Sequence, residues 1–287
     1  MFQIITDSCC DLNEAYLKEH GLVSIPLYYE MEGRVYGQDE SMPYPEFYAK
    51  VRAGELPTTS AINPAVTENT FRSYLEKGID VLYIGFSSAL SGSYNIGAVA
   101  ARNLSEEYPD RKVIAIDSLS AALGQGLLVH LAREKQLSGA TIEETAAWVE
   151  ENKLHLCHQF TVDNLFHLFR GGRVSRTSAI IGTLAQIKPV LHVDNEGRLI
   201  PIGKVVGRKK SLNALVDRMG ETLGSFAGKN KVAFIGHGDC LEDAKYVGEK
   251  VKERFGISEV YIDYVSPTIG AHSGPGTVAL FYLGDER

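Results

Sequence analysis

The sequence predicts an α/β fold: an N-terminal α/β domain on a mainly parallel sheet over residues 1–160, then a C-terminal α+β domain over 161–287. Three observations carry this. Continuous apolar runs of strand length alternate with helix-length segments through about residue 160. Three of those runs empty into loops bearing Asp or Ser, namely Thr6-Asp7-Ser8, Ser87-Ser88 and Asp117-Ser118. Past residue 160, the hairpin signal Asn195-Glu196-Gly197 is mixed with further strand–helix pairs.

Phe2-Gln3-Ile4-Ile5 reads as the first strand, followed by a helix that Asp11 caps and Gly21 stops. Leu22–Leu27 is a second strand. Tyr28–Gly37, centred on Glu32-Gly33, is a hairpin within a small insertion near 28–56. Helices near Tyr44–Val51 and Pro64–Lys77 flank a loop, Pro57 to Asn63. Val81–Phe86 and Lys112–Ile116 are strands, each preceding a helix, the second around Leu119–Glu134. Thr141-Ile142-Glu143-Glu144 is a capping box opening another. In the second half, Leu154–Val162 reads as a strand, followed by the short apolar run Leu165–Phe169. A Gly171-Gly172 turn then leads to a helix near Thr177–Gln186. Pro189–Val193 and Arg198–Ile202 flank the hairpin signal. Helices at Leu212–Leu223 and Leu241–Phe255 alternate with strands at Val232–Ile235, Glu259–Ile262 and Val278–Leu283.

The composition is that of a soluble protein with a core, at 44% hydrophobic and 23% charged residues. A net charge of −7 argues against nucleic-acid binding. The N-terminus lacks the charged and apolar regions of a signal peptide, and no apolar run is long enough to span a bilayer. Cys9, Cys10, Cys157 and Cys240 form no CxxC pair, and reduced thiols in a cytoplasmic protein are expected. His155, Cys157 and His158 fall on opposite faces of one strand, so no metal site is expected there.

Nucleotide signatures are missing. No GxxxxGK[ST] occurs, and Gly124-Gln125-Gly126 has Val129 where a third glycine belongs and lies inside a predicted helix. No GxSxG elbow occurs either. Three hydroxyl-bearing loops remain: Thr58-Thr59-Ser60, Ser87 to Ser93, and Gly270-Ala271-His272-Ser273-Gly274-Pro275-Gly276-Thr277. Ser91 and Ser93, at the start of a helix, can donate to an anion beside free N–H groups. Two hydroxyls, an imidazole and backbone amides suffice to hold a carboxylate without a buried Arg. The rival chemistry is a hydrolase using Ser91 or Ser60 with His272, which needs a third group to orient the imidazole. Basic clusters at Arg170 to Arg176 and Lys204 to Lys210 read either as a solvated face around a tight Gly-Gly turn or as a docking surface for a partner or for phosphate.

Taken in order, several segments resemble the DegV family of bacterial proteins. They are Thr6-Asp7-Ser8 with Asp11-Leu12, Pro57-Thr58-Thr59-Ser60, Ser87 to Tyr94, Asp117-Ser118, Phe160 to Leu165, Gly171-Gly172-Arg173, Lys188-Pro189, Gly236-His237 and Ile269 to Thr277. The resemblance implies two domains with a long-chain fatty acid in a buried tunnel between them. It also implies a non-catalytic subunit whose bound acid a separate ATP-binding kinase phosphorylates to an acyl phosphate for phospholipid synthesis. Carried over by position, Thr59, Ser91 and His272 bind the carboxylate, with Ser60 and Ser93 nearby. Arg170, Arg173, Arg208 and Lys209 become candidates for docking the kinase. No cofactor or metal is implied, and membrane contact is at most transient. This chain has Ser93 where the family often has Thr, and Ser273 where many members are apolar.

Overall fold

The computed structural model describes residues 1–37, 40–175 and 186–287. Its α/β architecture is layered. A four-stranded parallel sheet holds β1 (Phe2–Asp7), β2 (Val23–Ile25), β6 (Asp80–Gly85) and β7 (Val113–Asp117), in the order β2-β1-β6-β7. A six-stranded mixed sheet is ordered β10-β9-β8-β13-β11-β12. Its strands are β8 (Leu156–Thr161), β9 (Ile187–Val193), β10 (Leu199–Val206), β11 (Val232–His237), β12 (Glu259–Tyr264) and β13 (Val278–Leu283). Only β11 and β12 pair in parallel there. A small antiparallel sheet, β4-β3-β5, joins β3 (Tyr28–Met31), β4 (Arg34–Tyr36) and β5 (Thr58–Ser60).

Helix α5 (Leu123–Leu137) lies between the two large sheets. Its first seven residues are all buried, as expected of a helix with sheet on both sides. Leu123, Leu127 and Leu128 share a core with Ile4, Leu82 and Ile84 on one side and Phe160, Phe234 and Phe281 on the other. The outer face of the parallel sheet is covered by α3 (Pro64–Leu75) and α4 (Ser93–Glu107). Two helices cover the mixed sheet's far face, α8 (Arg208–Thr222) and α9 (Leu241–Phe255). The capping box at Thr141 opens α6 (Ile142–Asn152), with both reciprocal hydrogen bonds in place. Among the described residues the remaining α-helices are α1 (Glu14–Glu19), α2 (Tyr44–Arg52), α7 (Phe166–Arg170) and α10 (Pro267–Ser273).

The insertion follows its local chemistry. Glu32 (φ 53°) and Gly33 (φ 72°) both take positive φ, the geometry of a tight two-residue hairpin turn. Phe47 and Tyr48 of α2 then pack with Tyr29, Met31 and Ala271. The Tyr48 hydroxyl donates to the Val265 carbonyl at 2.8 Å, and Arg52 pairs with Asp239. The insertion is thereby tied to the mixed-sheet half of the molecule.

Six expectations change. Asn13, not Asp11, caps α1, its side chain accepting from the Tyr16 amide at 2.8 Å. The division at residue 160 cuts β8, which pairs along its length with β13, so the change of sheet precedes Leu156. The Pro57 to Asn63 segment is not wholly a loop, because Thr58–Ser60 add to β3. The helix expected from Leu119 begins at Leu123, since Leu119 (φ 50°) and Ala122 (φ 56°) are not helical. The helix expected from Leu212 begins four residues earlier, at Arg208. In the Gly270 to Thr277 run, Gly270 to Ser273 form the end of α10, with Pro267 in its first turn, so His272 stands on a helix. The helix expected near Thr177–Gln186 falls, except for Gln186, outside the described residues.

Candidate functional site

Three segments separated in sequence converge at the C-terminal edge of the parallel sheet, where ligands gather in α/β folds. Asp7, at the end of β1, organises the first. Its carboxylate accepts from the Cys9 and Phe86 amides and from the Tyr83 hydroxyl, at 2.8–3.1 Å. Burial pushes its pKa up to about 6 against the pull of those donors. The Phe86 bond fixes the start of the serine-rich loop, and the Leu90 and Ser91 amides both donate back to the Ser87 carbonyl. Ser91 then stands just before α4, its Oγ accepting from the Ser93 amide at 3.2 Å.

The second segment is β5, whose pairing with Tyr29 presents Thr59. The third is α10. Asp11, in a left-handed conformation (φ 55°), accepts from the Ser266 amide at 3.1 Å at the start of that helix. Burial pushes the Asp11 carboxyl up to about 8, so it is protonated at neutral pH. Six residues on, His272 Nε2 lies 2.8 Å from Thr59 Oγ1. His272 is lowered to about 4 by burial, with Arg173, Arg170 and His167 adding to the effect, so its ring is neutral. Its Nδ1 has no hydrogen-bond partner. That nitrogen faces Gly171, where a Cβ would sit 2.0 Å away, so only glycine fits at 171 with the ring in place.

Thr59, Ser60, Ser91 and His272 line one end of a cavity of about 230 Å³. Ser91, Thr59 and His272 are half-buried and Ser60 is exposed, so this end opens toward solvent. The rest of the lining is largely apolar, including Leu27, Phe86, Leu168, Leu199, Ala279 and Phe281. Ser93 is not among the lining residues. Fully buried, it accepts from the Ile62 amide at 3.3 Å and meets Ser91 Oγ at 2.9 Å, stitching the second segment to the first.

The basic residues expected to dock a partner are mostly turned inward. Arg173 lines the cavity and donates to the Leu90 carbonyl at 3.0 and 3.2 Å, and to the Gly171 carbonyl. Arg170 donates to the Pro57 carbonyl at 2.7 Å and the Ala271 carbonyl at 3.1 Å. Together they strap all three segments. Sequence reading missed this bracing; the signal available was a Gly-Gly turn flanked by arginines, which shortens the reach of both side chains to one place. Arg208 pairs with Asp243 at 2.8 Å, while Lys209 is exposed, its ammonium 5.6 Å from the Tyr246 ring centroid.

The hydrolase alternative needs a serine on His272 and an orienting group behind it. Nε2 is engaged by Thr59, Ser91 by Ser93, and Nδ1 is unpartnered. Among the described residues no cluster of metal-ligating side chains occurs, and no helix is long and apolar enough to cross a membrane.

Comparison with known proteins places this architecture. A DegV domain-containing protein of Clostridium perfringens is 41% identical over 288 residues, covering 100% of this chain and 98% of its own. Among solved structures, a DegV lipid-binding protein of Thermotoga maritima superposes with a TM-score of 0.87 at 31% identity, covering 100% of both chains. A DegV-family protein of Thermus thermophilus, described by its fatty acid binding, gives 0.84 at 29% identity over 99% of each. The model of the DegV family, described as uncharacterised proteins, matches residues 1–285, and the chain belongs to that family.

Proposed function

We propose that this protein binds a long-chain fatty acid with its tail in the apolar cavity and its carboxylate at Thr59, Ser91 and His272. A separate ATP-dependent kinase then acts on the presented head group, forming an acyl phosphate for phospholipid synthesis. The observation that carries the reading is the cavity's polarity: apolar along its length, with hydroxyls and one neutral imidazole at its half-open end.

The hydrogen-bond chemistry fits a carboxylate, which only accepts. With the neutral His272 protonated on Nε2, the ring donates to Thr59 Oγ1 and leaves the Thr59 proton for the ligand, so His272 acts on the carboxylate through Thr59. Ser91 Oγ accepts from the Ser93 amide and can accept from the Ser93 hydroxyl, leaving its own proton free as well. Ser60 stands at the same rim, while Ser93 acts through Ser91. This arrangement turns neutral groups into donors, and the Arg173 guanidinium lines the cavity beside them.

Energetically, the tail supplies most of the affinity, at roughly 0.8 kcal/mol per buried methylene. Each hydrogen bond to the charged head adds about 1.5–3 kcal/mol and fixes its position. A kinase then finds the acid at an open rim with no chemistry required of this chain. Of the four candidate docking cations, Lys209 is the one left exposed, at the first turn of α8. The four unpaired cysteines suit a reducing cytoplasm.

The deciding experiment is mass spectrometry of the purified, denatured protein, followed by reconstitution with an ATP-dependent fatty acid kinase. One acyl chain per protein and phosphorylation of the bound acid are expected. A protein that neither carries nor takes up any acyl chain sinks the reading; one that binds acid but supports no phosphorylation removes the kinase half alone.

A further inference from the structure

The Gly124-Gln125-Gly126 run serves packing inside α5. A Cβ at Gly126 would meet the Cys10 carbonyl at 2.5 Å. At Gly124 it would lie 2.3 Å from His158 Nε2 and 2.8 Å from Phe281 Cδ1. We propose that His158 and Phe281, seated against Gly124, form the end wall of the cavity and set the length of acyl chain it accepts. This rests on the fatty-acid reading above.

The strands give the direction. His272 leads through Gly274 to Thr277 into β13, and alternate residues Thr277, Ala279 and Phe281 line the cavity. A strand advances about 3.4 Å per residue, so Phe281 lies roughly 13 Å beyond Thr277. On antiparallel β8, Phe160 stands opposite Ala279 and His158 opposite Phe281. Both strands thus carry the lining away from the clasp and finish it with the same pair. The two rings cross at 90° with centroids 5.3 Å apart.

His158 suits an apolar wall despite being an imidazole. Its Nδ1 is 3.1 Å from the Leu156 carbonyl, and its Nε2 is approached by the Ala121 amide at 3.4 Å. Burial holds its pKa far below the usual histidine range, so the ring is neutral. It therefore meets a hydrocarbon tail with both nitrogens occupied. Behind the pair, α5 is held between two sheets and cannot retreat. A methyl added at 124 would press on both rings, which line the cavity, and push them toward it.

The test loads delipidated protein with an equimolar, graded series of saturated fatty acids and quantifies what is bound by mass spectrometry. Gly124→Ala should shift the profile to shorter acids, discriminating about tenfold against the longest for every two methylenes it excludes. Phe281→Ala and His158→Ala should shift it to longer ones. Should Gly124→Ala not fold, the Phe281→Ala and His158→Ala profiles decide alone. Variants that bind acid with the wild-type length profile overturn the end wall and leave the fatty-acid reading standing. A wild-type protein that binds no acid of any length overturns both.

Discussion

The two ends of the cavity are built on opposite principles. At the tail end, alternate strand residues and one central helix supply a wall of buried side chains, and the geometry follows from sheet pairing. At the mouth, four separate stretches of chain meet: β5, the loop before α4, the turn after α7, and α10. Apart from the short pairing of β5 with β3, individual hydrogen bonds place them, donated by Arg170 and Arg173 and accepted by Asp7 and Asp11. Apolar area is cumulative and tolerant, whereas a polar clasp is a set of single contacts, each of which can be removed by one atom. The tail end should therefore govern how tightly a ligand is held, and the mouth where its head group stands.

The strongest way to break that contrast is to cut the ligand from either end. Shortening a bound acid by eight methylenes should cost roughly 6 kcal/mol, about four orders of magnitude in Kd, in isothermal titration. Replacing the acid by the matching primary alcohol should cost only about 1.5–3 kcal/mol for each charge-assisted bond lost. A larger loss for the alcohol than for the truncated acid would reverse the assignment of the two ends.

A smaller effect separates two neighbouring serines. Ser91→Ala should weaken acid binding by about 1.5–3 kcal/mol with little change in thermal stability. Ser93→Ala leaves the buried Ile62 amide without its acceptor and should lower unfolding free energy by about 1–3 kcal/mol. Denaturant unfolding and ligand titration on both variants give the comparison directly. Equal losses of affinity without a stability difference would mean that Ser93, too, meets the ligand.

The smallest effect is in protons. His272 binds fewer protons folded than unfolded between its lowered pKa of about 4 and the usual 6.5. Its contribution to stability is therefore fully present above pH 6.5 and is lost as pH falls toward 4. A bound carboxylate offsets the neighbouring cations and should raise the pKa, with proton uptake on binding near pH 5. Imidazole NMR shifts of the free and loaded protein measure both values; an unchanged His272 titration on loading would place the acid elsewhere.

Much of this was readable from residues alone. Apolar runs ending at Asp7, Ser87 and Asp117 gave the parallel sheet, because strands covered on both faces read as unbroken hydrophobic stretches, almost wholly buried in β1 and β6 and mostly half-buried in β7. Glu32-Gly33 gave its hairpin and Thr141 to Glu144 its helix start, since turns and caps are local chemistry. Resemblance along the whole chain supplied the family and drew attention to Thr59, Ser91 and His272. It also grouped Ser93 with them, and only packing shows that its hydroxyl faces Ile62 and Ser91 instead of the cavity.

What the sequence determined by itself is the order of elements and the chemical types gathered at the strand ends, because both depend on neighbours within a few residues. Tertiary structure decided that β8 joins the second sheet, that Thr58–Ser60 become a strand, and that Arg170 and Arg173 brace the mouth. Those outcomes depend on partners more than 110 residues away, as in the Arg170–Pro57 bond and the pairing of Leu156 with Leu283. Long-range pairing leaves no periodic trace in the sequence around either partner, so only the assembled molecule reveals it.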